Sequence, residues 1–276
     1  RRSSCRAKRN PTTFCIMLSG YGKNELMRTK NKLLFISDLH LDHQRTDISN
    51  NFSLFIQHCL QEKESIQALY ILGDLFDFWF GDDACIPIYH DTIEQLGKIT
   101  SAGILLYVMH GNRDFLIGKA FVKATGCQLI EDPYLLQTDD QSMLLAHGDQ
   151  LCTDDIEYQQ FKKIVRDPAT IKDYLQKPIE ERIAIASSIK AESKKSGQGK
   201  SMEIMDVNQQ AVESFMSEYQ ISVLIHGHTH RPDIHSFNIG AQPVKRYVLS
   251  DWDKGCSFLQ WNGKELETVS LPAVIN

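Results

Sequence analysis

Residues 33–40 read LLFISDLH: four apolar side chains, then Ser37, Asp38, Leu39 and His40. An apolar run of that length fits a strand buried on both faces, and the polar residues fall just beyond its end. The pattern recurs four times. Residues 68–72 (ALYIL) run into Gly73-Asp74-Leu75-Phe76-Asp77, and residues 104–109 (ILLYVM) run into His110-Gly111-Asn112-Arg113-Asp114. Residues 143–146 (MLLA) stop at His147-Gly148-Asp149, and residues 221–225 (ISVLI) stop at His226-Gly227-His228-Thr229-His230. Between the early runs the apolar spacing is helical, as in Phe52, Phe55, Ile56, Cys59 and Leu60, and again in Ile93, Leu96 and Ile99.

Strands alternating with helices imply a largely parallel sheet with helices on its faces, where ligands gather beyond the carboxyl ends of the strands. The tail has a different character. Residues 245–249, 257–261 and 265–270 read as antiparallel strands, the last two joined across the turn signal Asn262-Gly263. The expected architecture is therefore α/β, with two packed sheets and helices outside.

One region interrupts the alternation. Residues 154–218 read as a helical insertion: Tyr158, Phe161, Ile164 and Val165 share a face, Asp167-Pro168 and Lys177-Pro178 resemble helix starts, and Ile183, Ile185 and Ile189 follow. Within it, residues 187–201 are rich in Lys, Ser and Gly, which predicts a solvated mobile loop.

Composition narrows the class. The 276 residues are 42% hydrophobic and 24% charged, as expected of a folded chain with one large core, and no stretch approaches the roughly 18 apolar residues of a membrane span. Seven cysteines, scattered and without a C-x-x-C pair, indicate neither a disulfide framework nor a structural zinc site, so a reducing cytosol is the expected setting. Residues 1–26 carry six Lys or Arg against one Glu, which leaves the rest of the chain at −10 when the whole is −5. An acidic body argues against a nucleic-acid partner. The basic segment, residues 1–26, is expected to be upstream or disordered sequence, with Met27 as the native start and residues 27–276 as the domain.

Taken singly, each strand-end cluster has a plain structural reading. Asp74 or Asp77 could cap a helix, Asn112 could be a turn residue, His147 a loop histidine and His226 a buried hydrogen-bonded one. Taken together they share one placement, since all five fall where the ends of a parallel sheet converge. Asp38-x-His40 and His228-x-His230 add pairs of ligands two residues apart, a spacing that can aim both side chains the same way. Imidazoles and carboxylates without thiolates suit Mn, Fe or Zn. Seven candidates, Asp38, His40, Asp74, Asn112, His147, His228 and His230, are too many for one ion. Two ions sharing a carboxylate would use them all, the arrangement suited to in-line displacement at phosphorus.

The five blocks, D-x-H, G-D-x-x-D, G-N-R-D, H-G-D and G-H-T-H, resemble in this order those of the calcineurin-like metallophosphoesterases. The resemblance runs from Leu33 to about Asp251 and implies a four-layer αββα sandwich with a helical insertion cap. It implies that Asp38, His40, Asp74 and His230 hold one ion and Asp74, Asn112, His147 and His228 the other, with Asp74 bridging and Asp114 behind the site orienting its neighbours. The resemblance also shows one departure: Arg113 stands where most of the superfamily has a histidine. A guanidinium holds phosphate oxygens but gives up no proton, which favours a leaving group that needs none, as in a diphosphate.

Longer strings, MHGNRDFLIG (109–118), HGDQLCTDD (147–155), YQQFK (158–162) and IMDVN (204–208), resemble one bacterial branch that acts in lipid A biosynthesis. That resemblance implies hydrolysis of UDP-2,3-diacylglucosamine to UMP and 2,3-diacylglucosamine 1-phosphate, with metal-activated water attacking the α-phosphorus and two Mn²⁺ per chain. It implies Asn112, Arg113 and Asp114 as the catalytic group and Asn112, Arg113, Asp155, Ser193, Lys200 and His228 as contacts to the lipid-linked nucleotide sugar. The cap would enclose the acyl chains, and the enzyme would sit peripherally on the cytoplasmic face of the inner membrane. A soluble nucleotide diphosphate or nucleotide sugar is the alternative substrate, and a scaffold that has lost its metals the alternative class. The filled ligand positions argue against the scaffold.

Overall fold

The computed structural model describes residues 30–199, 204, 206–253 and 255–272; the basic segment, Met27 and Lys200 lie outside them. The strands are β1 (Lys32–Ile36), β2 (Ile66–Leu72), β3 (Leu105–Met109), β4 (Gln128–Ile130), β5 (Tyr134–Gln137), β6 (Ser142–Ala146), β7 (Val223–His226), β8 (Asp233–Ile239), β9 (Gln242–Val248), β10 (Ser257–Trp261) and β11 (Leu266–Ser270). The helices are α1 (Thr46–Gln61), α2 (Asp82–Ile88), α3 (His90–Ser101), α4 (Lys119–Thr125), α5 (Ile156–Val165), α6 (Pro168–Leu175), α7 (Ile179–Gly199) and α8 (Gln209–Glu218).

Two sheets face each other. The first runs β11-β10-β1-β2-β3-β4, with β1 to β4 parallel and the β10–β11 hairpin antiparallel at one side. The second runs β5-β6-β7-β9-β8, with β6, β7 and β9 parallel between antiparallel edges β5 and β8. Successive side chains on a strand point to opposite faces, and both faces here are apolar. On β1, Leu34 and Ile36 meet Phe52, Phe55 and Ile56 of α1 and join a core with Ile93, Leu96 and Ile99 of α3. Leu33 and Phe35 point the other way, into the layer between the sheets, with Leu145 of β6 and Ile225 of β7. Phe35, Tyr70 and Tyr107 stand in register across β1, β2 and β3, their rings stacked at 5.3 and 4.7 Å. The outer face of the second sheet, Leu144, Leu224 and Val244, is covered by Val212 and Met216 of α8. The layers are thus helix, sheet, sheet and helix, as the apolar runs predict.

Three expectations change. Residues 245–249, expected as an antiparallel strand, are so on one side only: β9 pairs antiparallel with β8, from which Gly240 at φ 60° turns the chain back, but parallel with β7 in the second sheet. Residues 187–199 continue helix α7 rather than forming a loop, since Lys190, Ala191, Glu192, Lys194 and Lys195 are strong helix formers and the glycines come only at its end, at 197 and 199. The apolar face expected on α5 is not packed: Ile164 is 63% exposed and Phe161 is exposed too, while Tyr158 turns inward.

Candidate metal centre

β1, β2, β3, β6 and β7 all end toward the same rim, and each hands its next residues to one cleft. Asp38, His40, Asp74, His228 and His230 there adopt φ between 49° and 69°, the left-handed region that only tight turns require. Among the described residues the one other non-glycine in that region is Gln220, so backbone strain is concentrated at this rim. Two glycines let the turns approach each other. A Cβ on Gly111 would lie 2.1 Å from Asp74 Oδ1, and one on Gly227 would lie 2.2 Å from Asp38 Oδ2.

The side chains converge in two sets. Asp38, His40 and His230 place their ligand atoms within 4.8 Å of one another, and so do Asp38, Asp74 and His147. His40 Nε2 is 3.0 Å from His230 Nε2, and His40 Nδ1 is 3.9 Å from Asp74 Oδ2. On the other side, Asn112 Oδ1 lies 2.9 Å from His147 Nε2 and 3.0 Å from His228 Nδ1. His147 Nε2 is also 3.8 Å from Asp74 Oδ1. Asp74 therefore stands between the sets, and Asp38 belongs with both.

The chemistry of these donors fits cations. His147 Nδ1 donates to the Leu72 carbonyl at 2.9 Å, which leaves Nε2 facing the Asn112 amide oxygen, an acceptor. Either a proton on Nε2 or a cation must sit between the two, so a bound cation takes the proton's place. Asp38 Oδ1 and His40 Nδ1 are buried without a hydrogen-bond partner among the described residues. Burial pushes the Asp74 carboxyl well above the ordinary carboxylate range, against the pull of His147. Burial raises Asp38 as well, but His230, His147 and His40 hold its carboxyl below that range. For His147 burial favours the neutral ring, yet Asp74 and Asp149 push its pKa up to about 9. Two buried carboxylates this close need positive charge beside them, which a multivalent cation supplies.

The surroundings are fixed by backbone donors. Asp38 Oδ2 accepts from Ser37 Oγ at 2.5 Å and from the His228 N–H at 2.8 Å. Asp74 Oδ1 accepts from the Arg113 N–H at 2.8 Å. Asp114, fully buried, belongs to neither set of candidate ligands; it accepts from the backbone N–H groups of Gly111, Asp74, Leu75 and Phe76 and so ties the turn after β2 to the turn after β3. Arg113 points its guanidinium at Asp77, 3.0 Å away, and holds Nε 3.8 Å from Asp74 Oδ2. His226 is a buried core histidine: its Nδ1 donates to the Gly227 carbonyl and its Nε2 accepts from Arg246.

Of the remaining expected contacts, Asp155 is the N-cap of α5, accepting from the Tyr158 N–H, and Ser193 lies in α7 with its side chain outside the description. Residues that the sequence reading did not take as site residues also border the cleft. Asp77 pairs with Lys190 as well as Arg113, Asp149 gathers two side chains of α5 and that of its C-cap, Arg166, and Asp251 lies 3.4 Å from His230 Nδ1. A carboxylate three residues past a buried strand was the available signal for Asp251.

Residues 31–232 match the calcineurin-like phosphoesterase family. The UDP-2,3-diacylglucosamine hydrolase of Ectopseudomonas mendocina (strain ymp) is 41% identical over 84% of this chain and 95% of its own length. The enzyme of the same name from Aromatoleum aromaticum is 41% identical over 83% and 93%, and that from Chromohalobacter salexigens 43% over 80% and 89%. Among solved structures, an archaeal phosphodiesterase aligns over 87% of this chain and 99% of its own at 13% identity and a TM-score of 0.45. With the five strand-end blocks meeting at one rim and identity of this extent, the chain belongs to the calcineurin-like phosphoesterase family, among the UDP-2,3-diacylglucosamine hydrolases.

Proposed function

We propose that the chain hydrolyses the diphosphate of UDP-2,3-diacylglucosamine, releasing UMP and 2,3-diacylglucosamine 1-phosphate. The observation that carries this reading is the meeting of Asp74, Asn112, His147 and His228 in a chain that aligns with 95% of a hydrolase bearing that substrate's name. Asp38, His40, Asp74 and His230 would hold one divalent ion, and Asp74, Asn112, His147 and His228 the other; Mn²⁺, the ion that the resemblance implies, is among those that suit this oxygen and nitrogen set. When bound, such a pair supplies Lewis-acid charge at the phosphoryl oxygens and makes a neighbouring water more acidic.

The protein's own part is orientation. Asp114 fixes the two turns that present Asp74 and Asn112, and the Leu72 carbonyl fixes the His147 ring. Arg113 meets the diphosphate with a planar, permanently charged fork and stabilises negative charge as the P–O bond to the departing sugar phosphate breaks. It transfers no proton, and a phosphate leaving group at neutral pH needs none.

The helices between β6 and β7 supply what the metal centre lacks for a two-chain lipid. Ile156, Phe161, Ile164, Ile179 and Ile183 are exposed apolar side chains on α5 and α7. They suit acyl chains and the surface of the inner membrane, which we assign as the peripheral site of action on its cytoplasmic face. No helix among the described residues is long and apolar enough to cross a membrane. Phosphorus NMR of the products formed in oxygen-18 water tests the reaction. Label in UMP is expected; label in the sugar phosphate, or equal turnover of a soluble UDP-sugar, contradicts it.

A further inference from the structure

α5 is an amphipathic helix turned inside out. Tyr158, Lys162 and Arg166 are four residues apart and share one stripe, and that polar stripe faces the protein. Ile156 and Ile164, 65% and 63% exposed, face away. An ordinary surface helix does the opposite.

The stripe closes on Asp149, a carboxylate with no exposed surface two residues beyond His147. Asp149 Oδ2 accepts from the Tyr158 hydroxyl at 2.6 Å and from Lys162 Nζ at 2.8 Å, with Arg166 NH2 at 3.9 Å. Gln159 Nε2 donates to the Asp149 carbonyl at 2.8 Å, so backbone and side chain are both held. Arg166 reaches further and donates to the Gly111 carbonyl at 2.7 Å, the peptide that leads into Asn112. The Tyr158 ring lies against His228, centroid to centroid 6.0 Å at 30°. The helix therefore touches the surroundings of Asn112, His147 and His228, which are one set of candidate ligands. No hydrogen bond or ion pair among the described residues links its stripe to His40 or His230 of the other set.

We propose that Tyr158, Lys162 and Arg166 are positioning residues for the Asn112, His147 and His228 ion, so that α5 is a wall of the metal centre as well as part of the cover over the substrate. This rests on the two-ion reading. The physical cause is the cost of a buried carboxylate stripped of its partner: without Lys162, Asp149 draws in water or swings out, and its short link through Gly148 carries His147 with it. Outer partners of metal ligands typically change affinity by about 10- to 100-fold.

The test is Mn²⁺ titration calorimetry on the whole chain, paired with hydrolysis of bis(p-nitrophenyl) phosphate, a small diester that needs no acyl contact. Lys162→Met keeps the apolar stem and removes the charge. It is expected to weaken one of the two ions about tenfold or more and leave the other unchanged. The diester kcat should fall at limiting Mn²⁺ and recover when Mn²⁺ is raised. Lys162→Arg should restore most of the affinity. Tyr158→Phe, which keeps the ring, provides a milder second variant if Lys162→Met does not fold, and should weaken the same ion. Two ions at wild-type affinity and an unchanged diester rate in the folded variants would overturn the proposal, and so would equal weakening of both ions. If the wild-type chain itself binds fewer than two ions, the two-ion reading fails instead.

Discussion

Arg113 NH1 donates to Asp77 Oδ1 at 3.0 Å, which fixes the direction of the guanidinium that we assign to the diphosphate. The other oxygen of Asp77 takes Lys190 of α7. One carboxylate thus orients the proposed substrate arginine and ties α7 to the cleft. Arg113→Ala should keep both ions and slow hydrolysis about 10²- to 10³-fold, the range lost when one preorganised charge donor is removed. Asp77→Asn should keep the ions too, with a smaller fall in kcat. Metal analysis beside steady-state kinetics checks both; ions lost from the Arg113 variant would contradict this division of labour.

Gly227 has no room for a side chain, because a Cβ would stand 2.2 Å from Asp38 Oδ2 and 2.3 Å from Ser37 Oγ. Gly227→Ala should displace the Asp38 carboxylate and lower the metal content while the far-ultraviolet circular dichroism stays that of the wild type. Full metal content in that variant would show that the turn yields without cost.

The metal-free protein should respond to pH in a defined direction. His147 is held charged up to about 9 by Asp74 and Asp149, against burial, so its ion pairs stabilise the fold fully below the ordinary imidazole value of about 6.5. That contribution is lost as pH rises through about 9. The melting temperature of the metal-free chain is therefore expected to fall between neutral pH and pH 9, and Mn²⁺ to cancel the fall. Because the same protons must leave before a cation binds, Mn²⁺ affinity should rise over that interval. A flat profile without metal would contradict the assigned charge state.

Arg182 of α7 is 2% exposed and donates to the Phe80 carbonyl at 2.8 Å and to Asp83 at 2.9 Å. Asp83 is largely in water, so the ion pair itself adds little. The unsatisfied Phe80 carbonyl is the larger loss, and Arg182→Met should cost about 1 to 3 kcal/mol in urea unfolding.

The rim of the cleft was legible because buried parallel strands leave continuous apolar runs, and the Asp, His and Asn residues that follow each run have no place in a core. Helices α1 and α3 were legible for the same reason, through Phe52, Phe55 and Ile56 and through Ile93, Leu96 and Ile99. The edge strands β4 and β8 were not. β4 has three residues, and β8 alternates partly buried with exposed side chains at the sheet margin, so neither leaves an apolar run. The helix of residues 187–199 was hidden by serines, lysines and glycines that a single solvated helix tolerates. Asp77 and Asp149 were hidden differently: their roles depend on cations of α5 and α7, and no local pattern reveals such a pairing.

Anomalous diffraction from crystals grown with Mn²⁺ tests the central claim most directly. Two peaks are expected, one enclosed by Asp38, His40 and His230, the other by Asn112, His147 and His228, with the Asp74 carboxylate between them. A single peak, or peaks away from these seven side chains, would contradict it.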